Sequence, residues 1–180
     1  PDAESVALAW RFPGLASKDF EVLQVVSQVL YNGKAGLIDL DLNQQQKVLN
    51  SYGYPMGLAD YSAFILGGLP KQGKRMEEVK DLLLNEIKKL RAGEFDEKML
   101  QANINNFKLY ELQSMESNEG RADIFVNSFI NGTNWEDEVT AIDRMAKLTK
   151  EDIVAFADKY LKEDNYAVDH TRNKARTERE

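Results

Sequence analysis

Very few side chains in this sequence could hold a metal ion or act as a nucleophile. The 180 residues include one histidine, His170, and no cysteine. Zinc fingers, thiol proteases, redox CxxC sites and disulfides all need sulfur, so the sequence excludes them, and motifs built on two histidines are excluded as well. His170 follows Asp169, and two interpretations stay open: a metal ligand, or a polar surface residue beside a solvated tail.

Two other segments contain residue types that occur in functional sites. One is a charged cluster that fits either an acid–base group or a solvated junction between helices: Glu116, Glu119, Arg121 and Asp123. The other is segment 67–74, which follows a predicted strand and precedes a predicted helix, as a phosphate-binding loop does. It lacks the P-loop spacing and has Arg75 where Ser or Thr would hold the metal, so we predict an ordinary connection.

Three tyrosines are candidates for binding. Tyr52 and Tyr54 alternate along one predicted strand, and Tyr61 begins the next. Such residues can belong to the core, but tyrosines exposed on an edge strand also suit the capture of an extended peptide by strand addition. We therefore take Tyr52, Tyr54 and Tyr61 as candidate substrate-binding residues, and we assign no catalytic residue and no metal ligand.

Composition narrows the classes of partner. The chain has 23 basic and 30 acidic residues, a net charge of −7 and no basic cluster in its body, so we predict no nucleic-acid partner. No run approaches 18 apolar residues, so we predict no membrane span. Because the sequence lacks an initiator Met and a leader, we interpret it as a processed or excised segment. A periplasmic or secreted location and a cytoplasmic one both stay open.

The N-terminal half predicts strands around one helix. Alternating apolar residues predict a strand over 5–12, and Ser17 can cap a helix that runs to Leu30. Segment 35–46 fits either a short helix or a strand. Two antiparallel strands follow, over 48–56 and from 61 onward, joined by a turn.

The C-terminal half predicts a run of helices and a last strand. The clearest apolar stripe covers 76–90, with Glu86 mostly off it, and Asp96 caps a helix of about 20 residues. A stripe over 122–130 predicts the next helix. Two capping boxes then open the last two helices, at Thr133–Glu136 and Thr149–Asp152, before a strand over 166–170.

Strands grouped apart from helices predict an α+β fold: a two-layer sandwich in which helices pack mainly on one face of a largely antiparallel sheet. We expect one domain over residues 1–170 and a charged, loose tail over 171–180. Periodicity and composition give this fold class and no activity.

Three segments resemble the insulinase-like zinc peptidases, the family of pitrilysin and the mitochondrial processing peptidases. Residues 148–161 are similar to a recurrent ending of that family, a capped helix that finishes Ala-x-Lys-Tyr-Leu and is followed by a turn into a strand. The helix pair 76–90 and 96–122, and the opening strand 6–14, match in order and spacing. The resemblance covers residues 5–168.

The resemblance implies a domain without catalysis. Members of the family close two half-domains around an unfolded peptide, and the catalytic half carries His-x-x-Glu-His on one helix, where the histidines bind zinc and the Glu acts as base. The corresponding helix here, residues 20–28, has no histidine. The resemblance therefore implies an inactive half-domain with no cofactor of its own. A catalytic half-domain, in cis or in trans, would hold the zinc, and an extended peptide would be the substrate.

The resemblance also bears on substrate positioning, and two other functions stay open. Non-catalytic halves often contribute an Arg and a Tyr to substrate positioning, but Gln46 and Asn50 stand in those places here. Lys47 and Tyr52 or Tyr54 would substitute only after a shift of register. The alternative function is a stand-alone structural or binding subunit with no peptidase partner. A metal-independent enzyme built on paired carboxylates is a third hypothesis.

Overall fold

A computed structural model describes residues 4–172 and shows one sheet covered by helices. The elements follow in this order: β1 (Ser5–Pro13), α1 (Lys18–Leu30), a π-helix (Asp39–Asn43), β2 (Asn50–Met56), β3 (Tyr61–Leu69), α2 (Met76–Arg91), α3 (Glu97–Glu116), α4 (Asn118–Asn131), α5 (Trp135–Met145), α6 (Lys150–Tyr160) and β4 (Ala167–Thr171). The mixture of a four-stranded antiparallel sheet and helices confirms the predicted α+β class.

The strand order β2-β3-β1-β4 makes β2 and β4 the two edges of the sheet. Every neighbouring pair is antiparallel. The central strand β1 follows the predicted alternation, and its helix-facing residues are buried: Val6, Leu8, Trp10 and Phe12. Those side chains pack with α1, α2 and α6, so the core lies between the sheet and these three helices.

Helices α3, α4 and α5 form a second tier, called the distal arm here, that packs mainly on α1. Its apolar residues are mostly exposed, and the few buried ones lie near α1: Leu100, Ile104 and Met145. None of the helices described in residues 4–172 is both long enough and apolar enough to cross a membrane.

Three local predictions need correction or completion. The capping box at Thr133 is wrong, because Asn134 is the cap of α5 and accepts a hydrogen bond from the N–H of Glu136 at 3.1 Å. The hydroxyl of Thr133 instead contacts Ser128 and Glu138. Segment 35–46 resolves as helical, since it contains the π-helix. Strand β4 extends through Thr171, which pairs with Ser5, while residues 173–180 of the predicted tail lie outside the described part.

Candidate functional site

The outer edge of β2 is partly closed by one side chain of the π-helix. The Asn43 carboxamide accepts a hydrogen bond from the N–H of Ser51 at 2.8 Å and donates one to the Ser51 carbonyl at 3.0 Å. An adjacent strand would form the same two hydrogen bonds. Backbone groups alternate in direction along a strand, so those of Gly53 and Pro55 point to the same outer side. Pro55 has no N–H, and Gly53 is buried, so the exposed part of this edge offers the Pro55 carbonyl.

The face of the sheet opposite the helices, called the open face here, carries Tyr52 on a floor of small residues. In register across the four strands lie Tyr52, Gly67, Ala7 and Asp169. The ring of Tyr52 lies over Gly67, because a Cβ atom at Gly67 would be 2.4 Å from the ring carbon Cζ. Burial raises the pKa of the Tyr52 hydroxyl, and the nearby Tyr54 and Asp169 raise it further.

The structure brings two of the three candidate tyrosines together. The rings of Tyr52 and Tyr54 are stacked with their centroids 6.2 Å apart on the open face. Tyr61 lies at the start of β3, next to Pro13 in register, with the guanidinium carbon of Arg11 3.5 Å from its ring centroid. Tyr61 is therefore engaged in a cation–π contact away from the β2 tyrosines.

The residues that stand at the family's Arg and Tyr positions lie beside this edge. Gln46 is exposed, with a left-handed backbone φ of 53°, and Asn50 is the exposed first residue of β2. Lys47 follows Gln46 and is also exposed. Asn43, which contacts the edge directly, was missed by sequence reasoning. Its only sequence signal is a polar residue at the end of an ambiguous apolar segment.

A cleft of about 350 Å³ lies over α1, the helix that the resemblance compares with the family's zinc-binding helix. Its lining includes Phe20, Glu21, Gln24 and Asp137. Both of these carboxylates are already paired, Glu21 with Arg144 at 2.5 Å and Asp137 with Lys18 at 2.6 Å. With amide and apolar side chains between them, these residues do not fit a zinc ion.

The other chemical candidates stay apart in the structure. Within residues 4–172, no three His, Cys, Asp or Glu side chains converge to form a metal-binding group. His170 is exposed on β4 and pairs in register with Val6. Around the α3–α4 corner, the Arg121 guanidinium donates to the Met115 carbonyl and to the Asn118 side chain. Segment 67–74 is the end of β3 and the connection to α2.

Helix α4 is amphipathic, and its apolar side faces outward. The stripe consists of exposed residues, called the α4 face here: Phe125, Val126, Phe129 and Ile130. The buried residue of α4 is a serine, Ser128, whose hydroxyl donates to the Thr133 carbonyl at 2.9 Å. On the neighbouring helix α3, further large apolar side chains are exposed: Leu109, Tyr110 and Leu112. Together these side chains give the distal arm an apolar surface exposed to solvent.

Fold and site together define an α+β domain with a strand edge and an exposed apolar surface, and its described residues contain no group of metal ligands. The family model described as the peptidase M16 inactive domain matches residues 1–107. The chain belongs to the M16 family of zinc peptidases and corresponds to their inactive domain, which confirms the resemblance to the insulinase-like half without zinc.

Solved structures share the fold. A protease from Helicobacter pylori matches with a TM-score of 0.88 at 21% identity, over 96% of this chain and 42% of that one. The inactive peptidase domain of a candidate zinc protease from Bordetella parapertussis matches with a TM-score of 0.83 at 18% identity, over 94% and 92%. A chain of Complex III2 from Candida albicans matches with a TM-score of 0.75 at 11% identity, over 95% and 43%.

These identities show a common fold. The chain spans less than half the length of the Helicobacter pylori protease chain. A search of curated proteins found no match.

Proposed function

We propose that this chain is the non-catalytic half-domain of a zinc metalloendopeptidase and forms one wall of its peptide chamber. A partner half-domain, in the same chain or in another subunit, supplies zinc, base and nucleophilic water. Membership of the M16 family as an inactive domain supports this role, together with the lack of histidine on α1. The observation that best supports a partner is the apolar stripe of α4, which faces outward.

The α4 face is the surface that we assign to the partner half-domain. A helix whose apolar side faces water is unfavourable by about 25 cal/mol per Å² of apolar surface. Phe129 is 89% exposed and Ile130 70% exposed, so burial of this stripe would contribute several kcal/mol to association. Large apolar side chains on the same arm, including Leu112 and Trp135, would extend the contact toward the size of a specific interface.

The peptide contact that we propose is the edge of β2 with Tyr52 and Tyr54. Gly53 is buried, so a peptide beside β2 would meet the outward carbonyl of Pro55, and its side chains would lie next to the two stacked tyrosines on the open face. Tyr61 lies one strand further in and is held by Arg11, so its contribution would be smaller. Asn43 occupies the edge at Ser51 and Gly53 is buried, so the free edge is limited to the segment after Gly53.

The partner assignment is tested by reconstitution. The flanking sequence and the neighbouring genes are searched for His-x-x-Glu-His, and the histidine-bearing half-domain is produced with and without this chain. We expect zinc in that half only, measured by elemental analysis, and chelator-sensitive peptide cleavage only when both are present. Tight zinc binding by this chain alone, or full cleavage by the other half alone, would contradict the proposal.

The surface assignment has its own variants. Phe129→Ser with Ile130→Ser should weaken association of the halves at least tenfold in calorimetry, because two large apolar side chains leave the interface. Leu49→Ser, at an exposed leucine outside the distal arm, is the matched control and should leave the affinity unchanged. Equal effects of the two changes would remove the α4 face as the partner surface.

The peptide contact is tested in the reconstituted complex. Tyr54→Ser should raise KM for a peptide substrate several-fold with little change in kcat, since it removes contact with bound peptide. Val168→Ser, on the opposite edge strand β4, is the control. A fall in kcat alone, or the same KM in both variants, would argue against binding at β2.

A second candidate is a structural subunit of the same fold with no peptidase partner. The likeness to a chain of Complex III2 favours it, because that chain carries the fold inside a large assembly. The two candidates are separated by the flanking sequence: a neighbouring His-x-x-Glu-His supports the peptidase half, and its absence supports the structural subunit.

A further inference from the structure

Two Asn-Gly pairs in the chain share a similar backbone and differ in the surroundings of the asparagine side chain. Asn32-Gly33 follows α1, and Asn131-Gly132 ends α4. Both glycines have a left-handed φ, 78° at Gly33 and 65° at Gly132. A Cβ atom at either glycine would have no atom within 4 Å beyond its chain neighbours. The backbone is therefore equally open at both pairs, and what holds the asparagine carboxamide distinguishes them.

An Asn-Gly pair can react without an enzyme, since asparagine is one of the thermolabile residues of proteins. The backbone nitrogen of the glycine attacks the asparagine carbon Cγ, so a bond from nitrogen to Cγ forms as the bond from Cγ to Nδ2 breaks. Ammonia leaves with the glycine amide proton, and a cyclic imide remains. Water then opens the imide at either carbonyl and gives aspartate or isoaspartate. Glycine favours this ring closure, because it has no Cβ atom beside the attacking nitrogen.

The carboxamide of Asn32 is fixed by hydrogen bonds from both of its ends. Its Oδ1 accepts from the N–H groups of Lys34 at 3.0 Å and Ala35 at 2.8 Å. Its Nδ2 donates to the Gln28 carbonyl at 3.1 Å and to the Asn103 carboxamide at 3.3 Å. Movement of Cγ toward the next backbone nitrogen would break these bonds. The native structure therefore protects this pair.

The carboxamide of Asn131 is half-buried in the cleft over α1 and forms no hydrogen bond with any of residues 4–172. One contact opposes ring closure there. The N–H of Gly132 donates to the Phe129 carbonyl at 3.3 Å, which is a long hydrogen bond in the last turn of the helix. Helix ends fray, and α4 belongs to the distal arm, whose apolar side is uncovered. A small local opening is therefore enough to bring the reacting atoms of this pair together.

We propose that Asn131 is a site of spontaneous deamidation in the native chain, and that the structure protects Asn32 from the same reaction. The side of α4 that carries Asn131 is opposite the α4 face. Asn127 and Asn131, one turn apart, line the cleft, whereas residues such as Phe129 point away from it. A partner on the α4 face would approach from the side away from Asn131, so the inference does not rest on the proposed function.

The product has a negative charge at an unfavourable point. The carboxylate formed at Asn131 joins a cleft that already contains Glu21, Asp137 and Glu138. It also lies at the C-terminal end of α4, where the helix dipole disfavours negative charge. We expect Asn131→Asp to lower the hydrogen-exchange protection of amides in the last turn of α4 about two- to fivefold. Unchanged protection would overturn this consequence.

Peptide mapping of the folded chain tests the site. The chain is incubated at mildly alkaline pH, and trypsin then separates the two pairs, because Asn32 lies in fragment 19–34 and Asn131 in fragment 122–144. Mass spectrometry locates each conversion of amide to acid, and detection of isoaspartate identifies the cyclic imide as the intermediate. We expect conversion at Asn131 to be at least about tenfold faster than at Asn32, which must first break several hydrogen bonds.

The unfolded chain and two variants make the test specific. In urea both pairs should react at similar rates, because the hydrogen bonds of Asn32 are lost. Asn131→Gln should abolish conversion at this position, since its longer side chain would have to close a larger ring. Asn127→Gln, on the same side of α4, should leave conversion at Asn131 unchanged. Equal rates at the two pairs in the folded chain, a faster rate at Asn32, or no conversion at Asn131 while the unfolded chain reacts would overturn the proposal.

Discussion

Helices α2 and α4 carry similar apolar stripes and have opposite surroundings. On α2, the stripe residues Val79, Leu83 and Ile87 are buried against the sheet. On α4, residues at the same helical spacing, such as Val126 and Ile130, face solvent, and the buried residue is Ser128. Helical spacing therefore shows that a side of the helix is apolar, and the partner that covers it has to be found in the folded structure.

The comparison divides the molecule into two regions. The sheet with α1, α2 and α6 is complete by itself, because its apolar sides face each other. The distal arm leaves its apolar side uncovered, which suggests that its stability depends on a partner more than on the rest of this chain. Four tests by substitution examine this division, from the largest expected effect to the smallest.

A matched pair of phenylalanines gives the largest contrast. Phe64→Ala, in the interior strand β3, removes a fully buried ring and should lower the free energy of unfolding by about 3–5 kcal/mol. Phe129→Ala, in the α4 face, should change it by less than about 0.5 kcal/mol. Chemical denaturation of the isolated chain measures both. A large loss at Phe129 would mean that the α4 face already has a partner inside this chain.

The contact that holds the arm to α1 comes next. The Arg144 side chain on α5 makes two hydrogen bonds to the Glu21 carboxylate on α1, at 2.9 and 2.5 Å. Arg144→Ala should lower the free energy of local opening of α5 by about 1–2 kcal/mol, as measured by native-state hydrogen exchange. The amides of β3 should change little. Equal loss of protection in α5 and β3 would show one cooperative unit and would break the division.

Removal of a helix cap should have a smaller effect, which is global in the sheet region and local in the distal arm. Thr149 caps α6 by accepting from the N–H of Asp152 at 3.2 Å, and Asn134 caps α5. Thr149→Ala should cost about 1 kcal/mol of global stability, because α6 packs on the sheet. Asn134→Ala should have a similar local cost that appears in the exchange of α5 amides and hardly shifts the denaturation midpoint. Equal shifts of the denaturation midpoint in the two variants would contradict the division.

The smallest effect is expected for an exposed ion pair between the regions. Lys18 of α1 contacts Asp137 of α5 at 2.6 Å, and both side chains are more than half exposed. Lys18→Ala should leave the denaturation midpoint within error at physiological salt, because solvent and ions screen such pairs. A measurable loss that persists at 1 M salt would show that this contact matters more than its exposure suggests.

Much of the fold followed from periodicity. The alternation in β1 and the stripe of α2 predict elements that the structure contains, and the 20 residues of α3 agree with the expected length. The segment before β2 did not resolve from sequence, because a π-helix of five residues has no periodic signal of its own. The cap of α5 was misplaced by one residue because Thr133 and Asn134 are both good caps.

The site was less accessible to sequence reasoning. The tyrosines were identified, yet only the register of β3 against β2 shows that Tyr61 lies away from Tyr52 and Tyr54. The edge cap by Asn43 joins residues that are eight apart in the chain through an irregular turn. Glu86 is 1% exposed instead of off the apolar stripe, and its burial depends on Lys89 from the same helix and Asp41 from another segment, a combination that no local pattern contains.

The sequence by itself determined that this chain cannot build the zinc site of its family, because the helix over 20–28 has no histidine and the chain has only His170. It also determined most of the helices and strands, since propensity and spacing are local properties, although it left the segment that became the π-helix open. The tertiary structure alone decided which apolar stripe is covered, which tyrosines meet and where a carboxyl group is buried. These outcomes depend on contacts between distant segments, and their energies arise only when the chain packs.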